Sequence, residues 1–166
     1  MPEKRMAAIY EIDGRLLVRT VDSWGGAGIE DKHTDVLDGY PDVMPDELGR
    51  IVQAALARCR EVQPPSSWPP LRDYARPLLE LSPRRYRSYR SWQRAARYAQ
   101  IAEKAGSMRV ERWLPDLGRG AWFPASDDPQ DEWTYMTAVP ADAGPAVLGA
   151  AVLTVLGAPP WQGAPS

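Results

Sequence analysis

The chain has 166 residues, a formal net charge of −2 and a single cysteine. A length near ~150 residues fits one domain, or at most two small halves, and buries about 68–70% of the unfolded surface without disulfide or metal staples. The near-neutral balance excludes a global field that would favour nucleic acid or a membrane surface. Cys59 alone excludes an internal disulfide and suits a reducing compartment.

The charge is segregated along the chain. Residues 22–61 hold nine acids against four bases, 72–119 hold twelve bases against five acids, and 127–142 hold five acids and no base. Any charge-based recognition must therefore come from local surfaces. The first residues, MPEKRMAAIYEIDG, have a basic start with no apolar run behind it, so no secretory signal is expected. The most apolar stretch, AVLGAAVLTVLGA (146–158), falls short of the ~20 residues that span a bilayer and predicts a buried helix. A cytoplasmic protein with no membrane partner is the expectation.

In chain order, IYEIDGRLLVRTV (9–21) predicts two strands joined at Asp13-Gly14, a pair that tolerates positive φ at both positions of a tight hairpin. The Gly- and Asp-rich segment 23–43 reads as a long loop. A helix is predicted over about 45–60, with Leu48, Val52, Leu56 and Cys59 on one stripe and Pro45 in the first turn. The proline-rich segment 61–77 reads as a linker. The run RSYRSWQRAARY predicts a helix over about 88–98, and QIAEKAGSMRVERW (100–113) predicts strand, turn, strand. Residues 115–132 read as a second long loop. WTYMTAV (133–139) is the strongest strand signal, being β-branched and aromatic. A last helix is predicted over about 144–157, before a proline-rich tail at 158–166.

PDELGRIVQAAL from Pro45 and PAVLGAAVLTVL from Pro145 share Pro, Leu, Gly, Val and Leu at an offset of 100. Two related hairpin-plus-helix halves, 1–60 and 84–157, and a chance likeness of two Ala/Leu helices both fit. Either way these helices pack on sheet. The expected fold is α+β: a small mixed or antiparallel sheet with hairpins, covered by two or three amphipathic helices, in one domain over 1–157.

No catalytic, metal or cofactor set emerges. His33, the only histidine, lies among Glu30, Asp31 and Asp35 at spacings that match no ligand motif. Cys59 sits on an apolar stripe, as a small buried hydrophobe does. GGAG (25–28) lacks the pattern of a phosphate loop. One histidine so placed makes no Ser-His-Asp set, and the acids at 127–132 lie in an open-loop pattern where like charges stay solvated. An enzyme is not expected. On a helix at ~100° per residue, Arg87, Arg90, Arg94 and Arg97 fall within about 80° of one another, opposite Tyr89 and Trp92. A single-strand binder needs aromatics beside the charge, so a solvated arginine face over an aromatic core contact is the favoured reading. A small nucleic-acid-binding module on that helix is the alternative.

The block SPRRYRSYRSWQRAARYAQIAEKAGSMRVERWLP (82–115), flanked by LGRIVQAALARCR (48–60) and PAVLGAAVLTVL (145–156), resembles the contact-dependent growth inhibition immunity proteins of the CdiI type. The resemblance covers about 40–157 and rests on the order of its three elements; the first 40 residues lie outside it. It implies a small cytoplasmic antitoxin without catalysis or cofactor, whose partner is a toxin domain, often a nuclease. Carboxylates complement the cationic groove of a nuclease. The candidate partner-binding residues are therefore Asp127, Asp128, Asp131 and Glu132, together with Glu30, Asp31, Asp35 and Asp38.

Overall fold

A computed structural model describes residues 4–24, 27–64, 66–67, 71–124 and 135–158. Its elements in chain order are β1 (Lys4–Ile12), β2 (Arg15–Trp24), β3 (Ala27–Asp38), α1 (Pro45–Ala57), α2 (Leu71–Glu80), α3 (Tyr89–Ala95), β4 (Arg97–Lys104), β5 (Ser107–Asp116), β6 (Ala121–Pro124), β7 (Met136–Pro140) and α4 (Pro145–Leu156). The strands form one antiparallel sheet in the order β3-β2-β1-β4-β5-β6, with β7 pairing the first half of β5. The sheet is curled, and the fold is α+β, as expected.

Both central hairpins turn on a residue pair with positive φ. Asp13 and Gly14 stand at 50° and 83°, Ala105 and Gly106 at 51° and 80°. This geometry matches the twist of the flanking strands, and the pairs Ile12↔Arg15 and Lys104↔Ser107 close directly on the turns. The two glycine carbonyls also anchor the returning chain: Gly39 and Tyr40 donate to Gly14 O, and Ala141 donates to Gly106 O at 3.0 Å. Each return leads into a helix, α1 after β3 and α4 after β7.

Strand alternation divides the interior in two. Ala7, Ile9, Leu16, Val18, Ala99, Ile101, Met108 and Val110 face α1 and α4, and their core is completed by Leu48, Val52, Leu56, Leu148, Val152 and Leu156. The helix residues named from periodicity are all buried. Met6, Ala8, Tyr10, Ile12, Leu17 and Tyr98 face the other way, onto α2 and α3, where Ala75, Leu78, Tyr89 and Trp92 cover them. Helices α1 and α4 cross at their glycines. A Cβ on Gly49 would stand 1.7 Å from Pro145 O, and one on Gly149 would stand 1.8 Å from Pro45 O. The glycines of the shared Leu-Gly pattern thus meet at one contact between the two helices.

The structure departs from the sequence expectation in four places. Residues 27–38, expected within a loop, form β3; its Gly and Asp content hides a ladder with β2 that breaks only at a register slip between Arg19 and Val21. Residues 71–80, expected partly as linker, form α2 around Pro77. Tertiary burial of Ala75 and Leu78 outweighs the helix-breaking tendency of that proline. The arginine helix is shorter than 88–98. Ser88 caps it with a reciprocal Ser88–Ser91 capping box, and Ala96 is already extended at φ −78° and ψ 153°. Arg97 therefore opens β4. Finally, Ala121–Pro124, expected as loop, pairs with Trp113–Asp116 as β6.

Candidate functional site

Among the described residues β3 is an edge strand, paired to β2 on one side only. It carries Glu30, Asp31, Asp35 and Asp38, and the structure divides these four by direction. The β2–β3 pairing slips between Arg19↔Thr34 and Val21↔Glu30. The slip sets Glu30 opposite Val21, where its side chain is 7% exposed and meets the Arg19 guanidinium at 3.1 Å. The Tyr10 hydroxyl donates to the same carboxylate. Around this pair the aromatic rings close in: Tyr98 stacks on Tyr10 at 4.8 Å, with Trp92 at 5.3 Å and Trp122 at 6.0 Å. Burial pushes the Tyr98 hydroxyl well above its usual range and Tyr89 up to about 12, so both remain neutral hydroxyls. The Trp122 indole N–H donates to Tyr89 at 3.2 Å. An arginine at the centre of LLVRTV was the one sequence signal for this buried pair, since a charge inside an apolar strand needs a partner.

The other three carboxylates reach solvent, each beside a cation. Asp38 takes the Arg15 Nε at 2.6 Å, which holds its carboxyl below the usual range, and Arg15 reaches on to Leu81 O. Asp35 receives Arg58 at 2.7 Å from the end of α1 and lies 3.2 Å from the exposed His33. Arg60 bridges Asp22 at 3.3 Å and Asp31 at 3.9 Å. The edge is therefore a row of alternating sign. Asp31 and Asp35 gather on the α1 side, Asp38 near the end of α2. Asp127, Asp128, Asp131 and Glu132 lie outside the described residues.

Cys59 is buried behind this row, with Sγ 3.1 Å from Val21 O. Burial raises its thiol pKa. Because the thiolate is the reactive form, Cys59 is expected to stay silent toward DTNB at about pH 8 until the chain is unfolded; rapid labelling of the folded protein would contradict this burial. Among the described residues no group of three or more His, Cys, Asp or Glu gathers as a metal site, and no helix is long and apolar enough to cross a membrane.

The arginine helix divides as its periodicity implies. Trp92 and Tyr89 are buried, with the Trp92 indole N–H on Ser82 Oγ at 2.7 Å. Arg90 and Arg94 are exposed on α3, and Arg87, exposed too, precedes the Ser88 cap rather than lying on the helix. Arg97 belongs elsewhere: from β4 it reaches Leu156 O and the Tyr40 hydroxyl, 3.9 Å from Glu11.

This arrangement, a curled antiparallel sheet with helices on both faces, is shared with solved structures. No protein-family model matches the sequence, and no curated protein does. A protein of unknown function from Neisseria meningitidis superposes with a TM-score of 0.71 at 18% identity, covering 92% of this chain and 93% of that one. A chain of a CdiA-CT/CdiI toxin and immunity complex from Yersinia pseudotuberculosis superposes with a TM-score of 0.71 at 15% identity, covering 93% and 97%. The fold is therefore like that of a chain in a toxin–immunity complex, end to end.

Proposed function

We propose that this protein is an immunity protein of the contact-dependent growth inhibition kind, which binds a cognate toxin domain in the cytoplasm and neutralises it. The observation that carries this reading is the likeness to the Yersinia complex, which spans nearly the whole of both chains. In this reading the protein is not an enzyme and needs no cofactor: it acts by occupying the toxin. The toxin proposed is a nuclease, because a phosphate-binding groove is cationic and Asp31, Asp35 and Asp38 stand on an exposed edge. Those acids are already paired. Surface ion pairs of this kind are worth only about 0–1 kcal/mol, so a partner's cations can exchange into them. The alternating row then selects a partner with the complementary pattern. The proposal extends to Asp127, Asp128, Asp131 and Glu132, while Glu30 supports the strand from within.

The test is co-expression with a toxin domain taken from the product of the adjacent gene, followed by capture of the complex and a survival assay. Stable capture and rescue of toxin-expressing cells are expected. Absence of both would refute the reading. Two variants then locate the contact: Asp31, Asp35 and Asp38 to Asn, and Asp127, Asp128, Asp131 and Glu132 to Ala, each first checked for an unchanged melt. Rim carboxylates would slow association and flatten its salt dependence, whereas carboxylates buried against a cationic site would cost about 2–5 kcal/mol in affinity. Unchanged association, affinity and survival would remove that segment from the interface.

A further inference from the structure

The arginines of this protein are distributed unequally between paired and unpaired states. Arg5, Arg15, Arg19, Arg50, Arg58, Arg60, Arg76, Arg84, Arg97, Arg109 and Arg119 each lie within ion-pair distance of a carboxylate. Arg85, Arg87, Arg90 and Arg94 have no carboxylate partner among the described residues, and all four are exposed on α3 or the segment leading into it. Arg90 and Arg94 stand at i and i+4, about 5–6 Å apart at Cβ on one helix face. The Arg90 Nε donates to Leu117 O at 3.1 Å, which holds its guanidinium against the turn that carries Arg119.

What such a face can bind follows from what it lacks. A protein–protein contact centres on an apolar or aromatic anchor. The exposed large hydrophobics of the described residues are Val36, Met44 and Val147, none of them on this face. Base stacking needs a free ring, but Tyr89 and Trp92 are buried, and Tyr86 is held by Asp13 beneath the Arg84 guanidinium. Guanidinium groups beside which the described residues place no apolar anchor and no free ring match a regular polyanion read by its phosphates alone.

We propose that Arg90 and Arg94 on α3, with Arg85 and Arg87 on the segment leading into it, form a sequence-independent docking surface for the phosphate backbone of a nucleic acid. This goes beyond toxin neutralisation and does not depend on it. Four phosphate contacts give a slope of log affinity on log salt of about −3.6 on duplex DNA, against about −2.8 on a single strand.

The experiment is fluorescence anisotropy of the whole chain with a labelled duplex DNA of mixed sequence, titrated at a series of salt concentrations. The wild type is expected to lose about 150-fold in affinity between roughly 50 and 200 mM salt, and a second duplex of different sequence should behave alike. Replacing Arg87 and Arg94 with Gln should reduce that loss to about 12-fold, since two contacts remain. Lys at both positions should restore most of the slope, and Arg50→Gln on α1 should leave it unchanged. Three results would overturn the assignment: no binding at low salt, a slope that the Gln pair does not alter, or equal affinity for poly-glutamate, which would give the face to protein carboxylates. All four positions are exposed, so a melt of each variant separates loss of binding from loss of fold.

Discussion

Truncating Trp92 to Ala is expected to be among the most damaging single changes in this protein, at about 3–5 kcal/mol. The ring is fully buried. It lies 5.3 Å from Tyr10 and 5.6 Å from Tyr89, between the sheet and α2. Its indole N–H is satisfied by Ser82 Oγ, which in turn donates to Leu78 O at the end of α2. Truncation therefore opens a cavity and unfastens the α2–α3 connection together. In a chain of this length the loss corresponds to a fall in Tm of roughly 6–20 °C, read by calorimetry or circular dichroism. A melt within error of wild type would show that Trp92 is not a core residue, and would return the aromatics of this helix to the nucleic-acid face.

The second large effect is expected at the helix crossing. Alanine is favoured over glycine in a helix by about 1 kcal/mol, so Gly49→Ala would stabilise an isolated α1. Here the new Cβ would stand 1.7 Å from Pro145 O and 2.4 Å from Pro145 C. Those are backbone atoms at the start of α4, and no rotamer change relieves the overlap. The helices must separate, which strains a core shared by Leu48, Val52, Leu148 and Val152. Overpacking costs about 1–3 kcal/mol and occasionally more; the top of that range is expected here, so the steric term exceeds the propensity gain. Gly149→Ala should behave alike, because its Cβ meets Pro45 O at 1.8 Å. The double variant should cost less than the two single losses added together, since one separation relieves both overlaps. A denaturant-unfolding cycle measures the shortfall, expected at about 0.5–3 kcal/mol. Strict additivity would mean that the two glycines do not share one contact.

The four exposed arginines and the paired acids on β3 divide recognition between two surfaces. The toxin-binding reading uses the edge strand, where Asp35 and Asp38 already meet Arg58 and Arg15. The phosphate-docking reading uses α3, on the opposite flank of the β2–β1–β4 centre from α1 and α4. A variant set on one surface therefore serves as the control for the other.

Local rules by themselves determined much of this protein. Asp13-Gly14 specifies a tight turn because Asp and Gly both tolerate positive φ; at Ala105-Gly106 only the glycine does, and closure of the β4–β5 ladder holds Ala105 at 51°. The 3.6-residue stripe of α1 named its buried residues, and the same period put Trp92 inside and Arg90 and Arg94 outside. What local rules could not reach was decided by partners distant in sequence. β3 is a strand because β2 presents a ladder to it; its own Gly and Asp content argues for a loop. α2 persists through Pro77 because Ala75 and Leu78 are buried against the second core. Arg97 leaves the helix because Tyr98, Ala99 and Ile101 must alternate across the sheet against β1. The fate of the acids is the clearest case. Glu30 and Asp31 are neighbours in sequence, yet the alternation of the strand sends one to a buried arginine and leaves the other toward solvent. Charge is written in the sequence, but its partner is a matter of three-dimensional pairing, and pairing decides whether a carboxylate holds the core or faces solvent.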